Sequence, residues 1–131
     1  MAVFTEPELA FLAEQRLARL ATASPEGQPD VSAVGFEVDG DTVVSGGFDI
    51  TKTVRYRHLS ANPRATIVID DLASVDPWTP RGVKVRGDVV LEEHDGKPRI
   101  RIRPRVIWSW GLNPDAPKRF ASIEKRIIDA S

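Results

Sequence analysis

The sequence has no cysteine and only two histidines among its 131 residues. The missing thiols exclude disulfides, cysteine-ligated metals and a cysteine nucleophile, and the scarcity of imidazole argues against histidine catalysis or a histidine-ligated metal. No apolar run approaches the roughly 20 residues of a membrane-spanning helix. With 18 basic and 19 acidic side chains the net charge is -1, which argues against a protein that coats nucleic acid or a membrane. No metal, nucleic-acid or membrane partner is therefore expected.

Residue balance favours one β-rich domain. Val and Ile together number 23 against 8 Leu, and β-branched side chains pack well on pleated sheets. The length suits a single domain, which we expect to span residues 1–131. The nucleotide-binding motifs GxGxxG and GxxxxGK[ST] are absent, so Rossmann and P-loop folds are not expected. Residues Met1–Glu6 lack the basic and apolar segments of a signal peptide, and a cytoplasmic protein is therefore predicted.

Local signals divide the chain into short helices and strands. Thr5 and Glu8 form a capping-box pattern, which predicts a helix at about residues 6–15. Its apolar face would consist of Leu9, Leu12 and Ala13. Turns at Ser24–Gly27 and Asp39–Gly40 separate three strands, which we expect to form an antiparallel meander. The six predicted strands cover residues 17–23, 29–38, 42–46, 65–71, 82–91 and 100–107.

The second helix and the tail complete the predicted architecture. Thr51 is the expected cap of a helix that ends before Asn62-Pro63, with Val54 and Leu59 facing inward. The tail from residue 113 to 131 is predicted as a proline-broken loop and then an amphipathic helix, whose apolar residues are Phe120, Ile123, Ile127 and Ile128. The whole pattern predicts a mainly β protein, a six-stranded antiparallel barrel with short flanking helices.

The segment Thr51-Lys52-Thr53-x-Arg55 is the sharpest candidate for a binding site. The first N–H groups of a helix lack partners, and the helix dipole favours an anion there. Lys52 and Arg55 are three residues apart and share one helix face, while Thr51 and Thr53 add hydroxyl donors. This combination suits a phosphate group. The alternative is a solvated basic helix face without a ligand.

A basic strand stands near the C-terminal end of the predicted barrel. Its alternating arginines, which would share one face, are Arg99, Arg101, Arg103 and Arg105. They could grip phosphates or RNA, but we favour a solvated face paired with the acidic Glu92-Glu93, because aromatic residues interleave poorly with the arginines. Pro104 places part of this strand at a sheet edge or a bulge.

Three tryptophans are candidates for contact with a planar ligand. Trp108 and Trp110 alternate and would point to one face, where they could wall a ring-binding pocket, seal the barrel or meet a second subunit. Trp78, in a proline-flanked loop, has the same alternatives. A metal site is not expected at the acidic residues of this region, because they have no histidine partner; they are Asp70, Asp71 and Asp76. No catalytic nucleophile or base is evident, so any catalysis should depend on a cofactor.

Four stretches resemble the pyridoxamine 5′-phosphate oxidase-like split β-barrels, and within that family the small proteins that use the deazaflavin coenzyme F-420. Their order and spacing cover nearly the whole chain. The stretches are Arg16–Thr22 with Gly27-x-Pro29 and Val34-Gly35-Phe36; Thr51–Arg55 leading to Asn62-Pro63; Val68–Leu72 with Asp76-Pro77-Trp78; and Ile102–Leu112. The resemblance implies an FMN-binding split barrel that pairs into a homodimer, with flavin or deazaflavin in a groove between the subunits.

The resemblance also implies which residues contact the cofactor. At the phosphate these are Thr51, Lys52, Thr53 and Arg55, and at the ring Val34, Gly35 and Phe36. Trp78 and Trp110 would reach the cofactor of the partner subunit. Gly35 and Gly46-Gly47 would let the backbone approach a flat ring. The full set of substrate-phosphate ligands of a pyridoxamine phosphate oxidase is not matched.

The sequence therefore predicts an oxidoreductase that binds F-420, or alternatively FMN, and transfers hydride to or from a small organic substrate. Direct hydride passage between ring and substrate would explain why no side-chain base is evident. Two alternatives stay open. One is a non-enzymatic carrier of flavin, deazaflavin or haem, and the other is an RNA-binding protein that uses Arg99–Arg105.

Overall fold

The computed structural model describes residues 2–113, 115 and 123–128, and eight strands dominate these ranges. The helical elements are α1 (Glu6–Glu14), a 3₁₀ turn (Ile50–Lys52) and α2 (Val54–Ala61). The strands are β1 (Leu17–Ala23), β2 (Pro29–Gly35), β3 (Glu37–Asp39), β4 (Thr42–Ser45), β5 (Arg64–Ser74), β6 (Thr79–His94), β7 (Lys97–Trp110) and β8 (Ile123–Ile127). Within the described ranges, no helix is long and apolar enough to cross a membrane.

One strongly curved antiparallel sheet contains all eight strands. Its order is β2-β1-β5-β6-β7-β4-β3, and β8 pairs with a stretch of β7 that β4 leaves free. Alternate residues of the long central strands point inward and are fully buried; they include Ile67, Ile69, Val83, Val85, Ile100 and Ile102. The sheet does not close, so the predicted mainly β split barrel is confirmed, with eight strands instead of six.

The chain crosses between the two edges of the sheet at Phe36. The predicted strand at residues 29–38 is in fact two strands, because β2 pairs with β1 and β3 pairs with β4. Both hairpins of the predicted meander are present, but they lie at opposite ends of the sheet order, so the three strands do not form one continuous meander. The buried Ser45 hydroxyl donates to the Gly35 carbonyl at 2.7 Å and holds the two edges together. We call this junction, Gly35–Glu37 with Ser45–Gly47, the seam.

Helix α1 begins as the sequence predicts but buries a different face. Both hydrogen bonds of the capping box are present, from the Thr5 N–H to the Glu8 carboxylate and from the Glu8 N–H to the Thr5 hydroxyl. The helix packs through Glu8, Phe11 and Leu12, whereas Leu9 and Ala13 are exposed. A carboxylate therefore takes a core-facing position that apolar periodicity does not predict.

The predicted tail helix is wrong at residues 123–127, which form β8; Phe120 lies outside the described residues. Strand β7 offers two stretches along one edge. Its residues 100–102 bond β4, and its residues 106–110 are left for β8. Pro104, which has no N–H to donate, stands between these stretches, so the predicted irregularity there is confirmed as a bulge opposite Arg86 and Gly87. Ile123 and Ile127 remain exposed, so β8 is held by its backbone pairing with β7 and not by burial of these side chains.

A buried ion pair joins β8 to α1. Arg126 Nη2 donates to Glu8 Oε1 at 2.7 Å and to the Val3 carbonyl at 2.7 Å. The Glu8 side chain is only 2% exposed, so removal of its partner would leave a charge without compensation. Burial alone would raise the pKa of Glu8, but hydrogen bonds from Arg126 and from the Thr5 backbone outweigh burial and lower this pKa below 4.5.

We predict that Glu8→Gln lowers the free energy of unfolding by about 2 kcal/mol at pH 7, because Arg126 loses its charged partner while its side chain, 33% exposed, stays partly hydrated. Glutamine still fits a capping box, so the change isolates the ion pair. Since the folded-state pKa is lowered, the stabilisation is complete above the ordinary pKa and is lost as pH falls through the folded value. Urea unfolding from pH 7 to pH 3 should show the gap between wild type and variant shrinking. Glu6→Gln, at an exposed position of the same helix turn, is the control, and an equal loss there would contradict the assignment.

Candidate functional site

Two clefts meet at Gly47, beside the seam. The first, about 630 Å³, is lined by seam residues together with Gln15, Arg16, Val44, His94 and Arg99, and we call it the seam cleft. The second, about 910 Å³, lies between the loop Gly47–Thr51, Tyr56 and the β6–β7 hairpin, and we call it the hairpin cleft. Both volumes are in the range of sites for small molecules and cofactors.

Arg55 is a charged side chain next to Gly47, the residue that lines both clefts. Its Nη2 atom lies 3.2 Å from the position that a Cβ would occupy at Gly47. Gly47 has a φ of +152°, so an alanine there would strain the backbone as well as crowd the guanidinium. Arg55 Nε is buried, and among the described residues it finds no hydrogen-bond partner. A buried donor of this kind is costly without a partner, and it is the Nη2 atom of the same guanidinium that an anionic ligand at Gly47 would meet.

The other residues of the predicted phosphate segment take separate roles. Thr53, not Thr51, caps α2: its hydroxyl accepts from the Tyr56 N–H at 3.2 Å and donates to the Ile50 carbonyl at 2.6 Å. The predicted cap is wrong because residues 50–52 form a separate 3₁₀ turn before the helix. Thr51 lines the hairpin cleft. The Lys52 side chain is 79% exposed, and its ion pair with Asp49 is long, at 4.0 Å. Lys52 can therefore turn toward an anion.

Within α2 the two apolar residues behave differently. Leu59 is buried, as predicted, whereas Val54 is exposed, because the helix starts later than the sequence suggests.

Two of the three predicted ring contacts lie at the seam cleft. Gly35 and Phe36 line it, whereas the Val34 side chain is buried in the core, because successive strand residues point to opposite faces. Apart from its chain neighbours, no atom of the described residues lies within 4 Å of the position that a Cβ would take at Gly46, and the nearest at Gly35 is the Arg16 carbonyl oxygen at 4.0 Å. Side chains at these glycines would therefore project into the cleft without any clash in the chain itself. The absent side chains leave room for a flat ligand against the backbone.

Trp78 and Trp110 are not brought to this site within one chain. Trp110 packs against Gly82 near the start of β6, and Trp78 lies in the turn before that strand, 68% exposed. His94, which lines the seam cleft, ends β6, so about 40 Å of strand lies between. Trp108 and Trp110 do share a face, as predicted, while Ile107 and Ser109 point into the core.

Carboxylates neutralise most of the basic strand. Glu92 accepts from Arg99 at 2.7 Å and from Arg101 at 2.8 Å, and Asp39 accepts from Arg101 at 3.0 Å. The hydrogen bonds from Arg101 and then Arg99 lower the pKa of Glu92 to about 2. Arg105 pairs with Asp88 across the bulge. The pairing with Glu92 that the sequence favours is confirmed.

Sequence reasoning missed several polar contributors to the clefts, among them Arg16, Tyr56 and His94. Each belongs to an element that approaches the seam only after the sheet curves. Local patterns therefore carry no signal for Arg16 or Tyr56, and a hairpin tip marks His94 as a surface residue. Among the described residues, no cluster of His, Asp and Glu is suited to a metal ion.

Known proteins share the sequence pattern and the fold of this chain. The model of the family described as "Pyridoxamine 5'-phosphate oxidase" matches residues 4–126. The chain belongs to this family. It is 33% identical over 122 residues, 86% of either chain, to a 5a,11a-dehydrotetracycline/5a,11a-dehydrooxytetracycline reductase of Streptomyces rimosus. Family membership and this relative support an oxidoreductase role in general terms.

Solved structures share the fold. A haem-binding protein from Mycobacterium smegmatis superposes with a TM-score of 0.71 at 19% identity, over 92% of this chain and 55% of that one. The chain thus spans about half the length of that protein. An F420 reductase superposes with a TM-score of 0.61 at 24% identity, over 79% of this chain and 98% of that one. At these identities the likeness concerns the fold.

The position of the α2 cap gives a direct test of the local geometry. Thr53→Ala should lower the free energy of unfolding by about 1 kcal/mol, because the Tyr56 N–H loses its acceptor. Thr51→Ala is the matched control and should change stability by no more than a few tenths of that amount. Urea unfolding followed by circular dichroism measures both. A larger loss of stability in Thr51→Ala than in Thr53→Ala would indicate that Thr51 caps the helix, as the sequence predicts.

Proposed function

We propose that this chain is an F-420- or FMN-dependent oxidoreductase that acts as a homodimer on a small organic substrate. The observation that carries the proposal is the half-buried Arg55 side chain, whose Nε has no partner among the described residues and whose Nη2 lies beside Gly47, where the seam cleft meets the hairpin cleft. It offers a charged donor for a phosphate next to an open backbone surface for a planar ring.

Specific residues would hold each part of the cofactor. Arg55, Lys52 and Thr51 would bind the phosphate, Arg55 from the cleft junction and Lys52 by rotation from its exposed position. Gly35, Phe36 and Gly46 would support the ring. Thr53 would act through its cap, which sets the direction of α2 and so of Arg55. When bound, the cofactor supplies hydride exchange at its ring, which the protein's own side chains cannot provide.

The reductase relative favours the reductive direction for this chain. The seam cleft, at about 630 Å³, has room for an organic substrate over a ring that lies on Gly35 and Gly46. F-420 and FMN are both candidate cofactors, because each would present a phosphate and a three-ring plane to these residues. We also propose that the protein is cytoplasmic, as the sequence predicts.

Cofactor binding tests the proposal. Titration of the purified protein with F-420 and with FMN, followed by fluorescence, should give a dissociation constant below about 100 μM for at least one of them, a free energy of about 5–6 kcal/mol. Arg55→Ala should weaken binding at least tenfold, because the phosphate loses a charged donor, and Lys52→Ala should weaken it severalfold.

Arg57→Ala is the matched control, because it removes the same charge from an exposed position of α2. No binding of either cofactor would refute the proposal. An equal loss in Arg57→Ala would show that only overall charge matters.

The homodimer rests on an apolar face beside the free edge of the sheet. Strand β2 ends the sheet order and pairs only with β1 among the described strands. Val31 is 66% exposed and Leu17 58% exposed, and strand alternation puts both on the outer face. A second copy on this face would give the groove a second wall and could bring Trp78 and Trp110 to it.

Sedimentation equilibrium should therefore show a dimer, and Val31→Asp should shift it toward monomer, because the face would have to bury a charge. Val31→Thr keeps the side-chain shape and should retain the dimer. A wild-type monomer, or equal behaviour of the two variants, would contradict this part of the proposal.

A carrier without turnover is the second candidate. His94 lines the seam cleft and is a side chain that could ligate haem iron, and the Mycobacterium smegmatis neighbour shares the fold. Hydride transfer from reduced F-420 or FMN to an organic acceptor distinguishes the candidates, since a carrier would bind without transfer. The RNA hypothesis loses its support, because Arg99, Arg101 and Arg105 are paired with carboxylates.

A further inference from the structure

A third cleft lies at the other end of β1 from the seam. It encloses about 440 Å³ between β1, the end of α2, β5, β6 and the bulge of β7. Ala23 lines it, whereas Leu17, six residues earlier, pairs with Gly35 at the seam. About 20 Å of strand therefore separates this cleft from the proposed cofactor groove.

Three arginines line this cleft, and we call it the arginine cleft; they are Arg64, Arg86 and Arg105. The bulge in β7 contributes the third. Arg86 pairs with Val106 and Gly87 with Pro104, so Arg105 is the extra residue that the bulge turns toward the cleft. Gly87 lets the strands approach here, because a Cβ at this position would overlap the Arg103 backbone.

The positive charge of the arginine cleft exceeds its negative charge. Asp88 is the carboxylate of its lining, and Arg105 occupies it. Among the described residues, Arg64 and Arg86 form no ion pair. Arg86 instead lies 4.9 Å from the Trp108 ring, and Arg64 makes a long bond of 3.4 Å to the Asn62 amide. Both side chains are exposed, and neither has a carboxylate partner among the described residues.

Neutral polar groups complete the lining. The Thr22 hydroxyl is buried and lies 3.0 Å from His58 Nδ1, and the Asn62 amide donates to the Ala23 carbonyl at 3.2 Å. The His58 contact and the Asn62 bond hold both side chains in place at the floor. The lining therefore combines fixed polar groups with guanidinium forks, which match the oxygens of a phosphate or carboxylate.

We propose that the arginine cleft binds an oxyanion, the phosphate or carboxylate group of a small metabolite, at a site separate from the cofactor groove. The volume of about 440 Å³ suits a small molecule. Recognition is local, since the whole chain carries a net charge of -1.

Calorimetric titration of the full chain tests the site with two probes, inorganic phosphate and citrate, at constant ionic strength set with NaCl. Wild type should bind at least one probe saturably, and the tighter probe identifies the group as phosphoryl or carboxylate. The double variant Arg64→Gln/Arg86→Gln should bind at least tenfold more weakly, because both unpaired forks are lost. Arg103→Gln, an exposed arginine two residues from Arg105, is the matched control and should stay within twofold of wild type.

Two results would overturn the proposal: no saturable binding of either probe by wild type, or equal weakening in Arg103→Gln. Binding of a single-stranded RNA with steep salt dependence, without binding of phosphate or citrate, would also overturn it and indicate a polymer. If the double variant unfolds, Arg64→Lys alone keeps the charge but loses the fork and should still weaken binding. F-420 and FMN affinity should be unchanged in these variants, so this test is independent of the cofactor proposal.

Discussion

The hydrogen bond from the Ser45 hydroxyl to the Gly35 carbonyl holds together the two edges of a sheet that does not close. Strands β2 and β3 follow each other in sequence yet lie at opposite ends of the sheet order, so the chain must cross at Phe36. The crossing brings Gly35, Gly46 and Gly47 to one place, and both clefts of the proposed cofactor groove open there. Arg55 lies next to Gly47, which lines both clefts.

Charge pairing explains which cations are available for function. Glu8 with Arg126, Glu92 with Arg99 and Arg101, and Asp88 with Arg105 satisfy the partly buried arginines of the sheet. Such pairs stabilise the fold when geometry is good and are costly when one partner is lost. Among the cations outside these pairs are Arg55 and Lys52 near the seam and Arg64 and Arg86 at the bulge.

Glycines have two different roles in this molecule. At Gly82 and Gly87 a side chain would overlap the Trp110 ring or the Arg103 backbone, so these positions serve packing of the sheet. At Gly35 and Gly46 no such overlap exists, and the space left by the absent side chain faces a cleft. The same residue type therefore has a structural role on β6 and a ligand-facing role at the seam.

Local signals in the sequence were sufficient where one short segment decides the outcome. The Thr5 capping box, strand β1 at Leu17–Ala23, the turn at Ser24–Gly27 and the inward alternation of β6 all follow from side-chain chemistry within a few residues. The resemblance of four stretches was enough for the family, because their order along the chain is itself sequence information. The grouping of Arg55 with Gly35 and Phe36 followed from that resemblance and not from spacing.

By itself the sequence determined a β-rich, near-neutral domain without thiol chemistry, together with its family and the residue types of a phosphate site. Only the tertiary structure decided that residues 29–38 form two strands, that residues 123–127 add a strand to β7, and that Thr53 instead of Thr51 begins α2. The physical reason is that strand partners are chosen by long-range backbone pairing, which no local pattern encodes. The sequence also does not show which arginines are unpaired, because the positions of the nearby carboxylates depend on the tertiary structure.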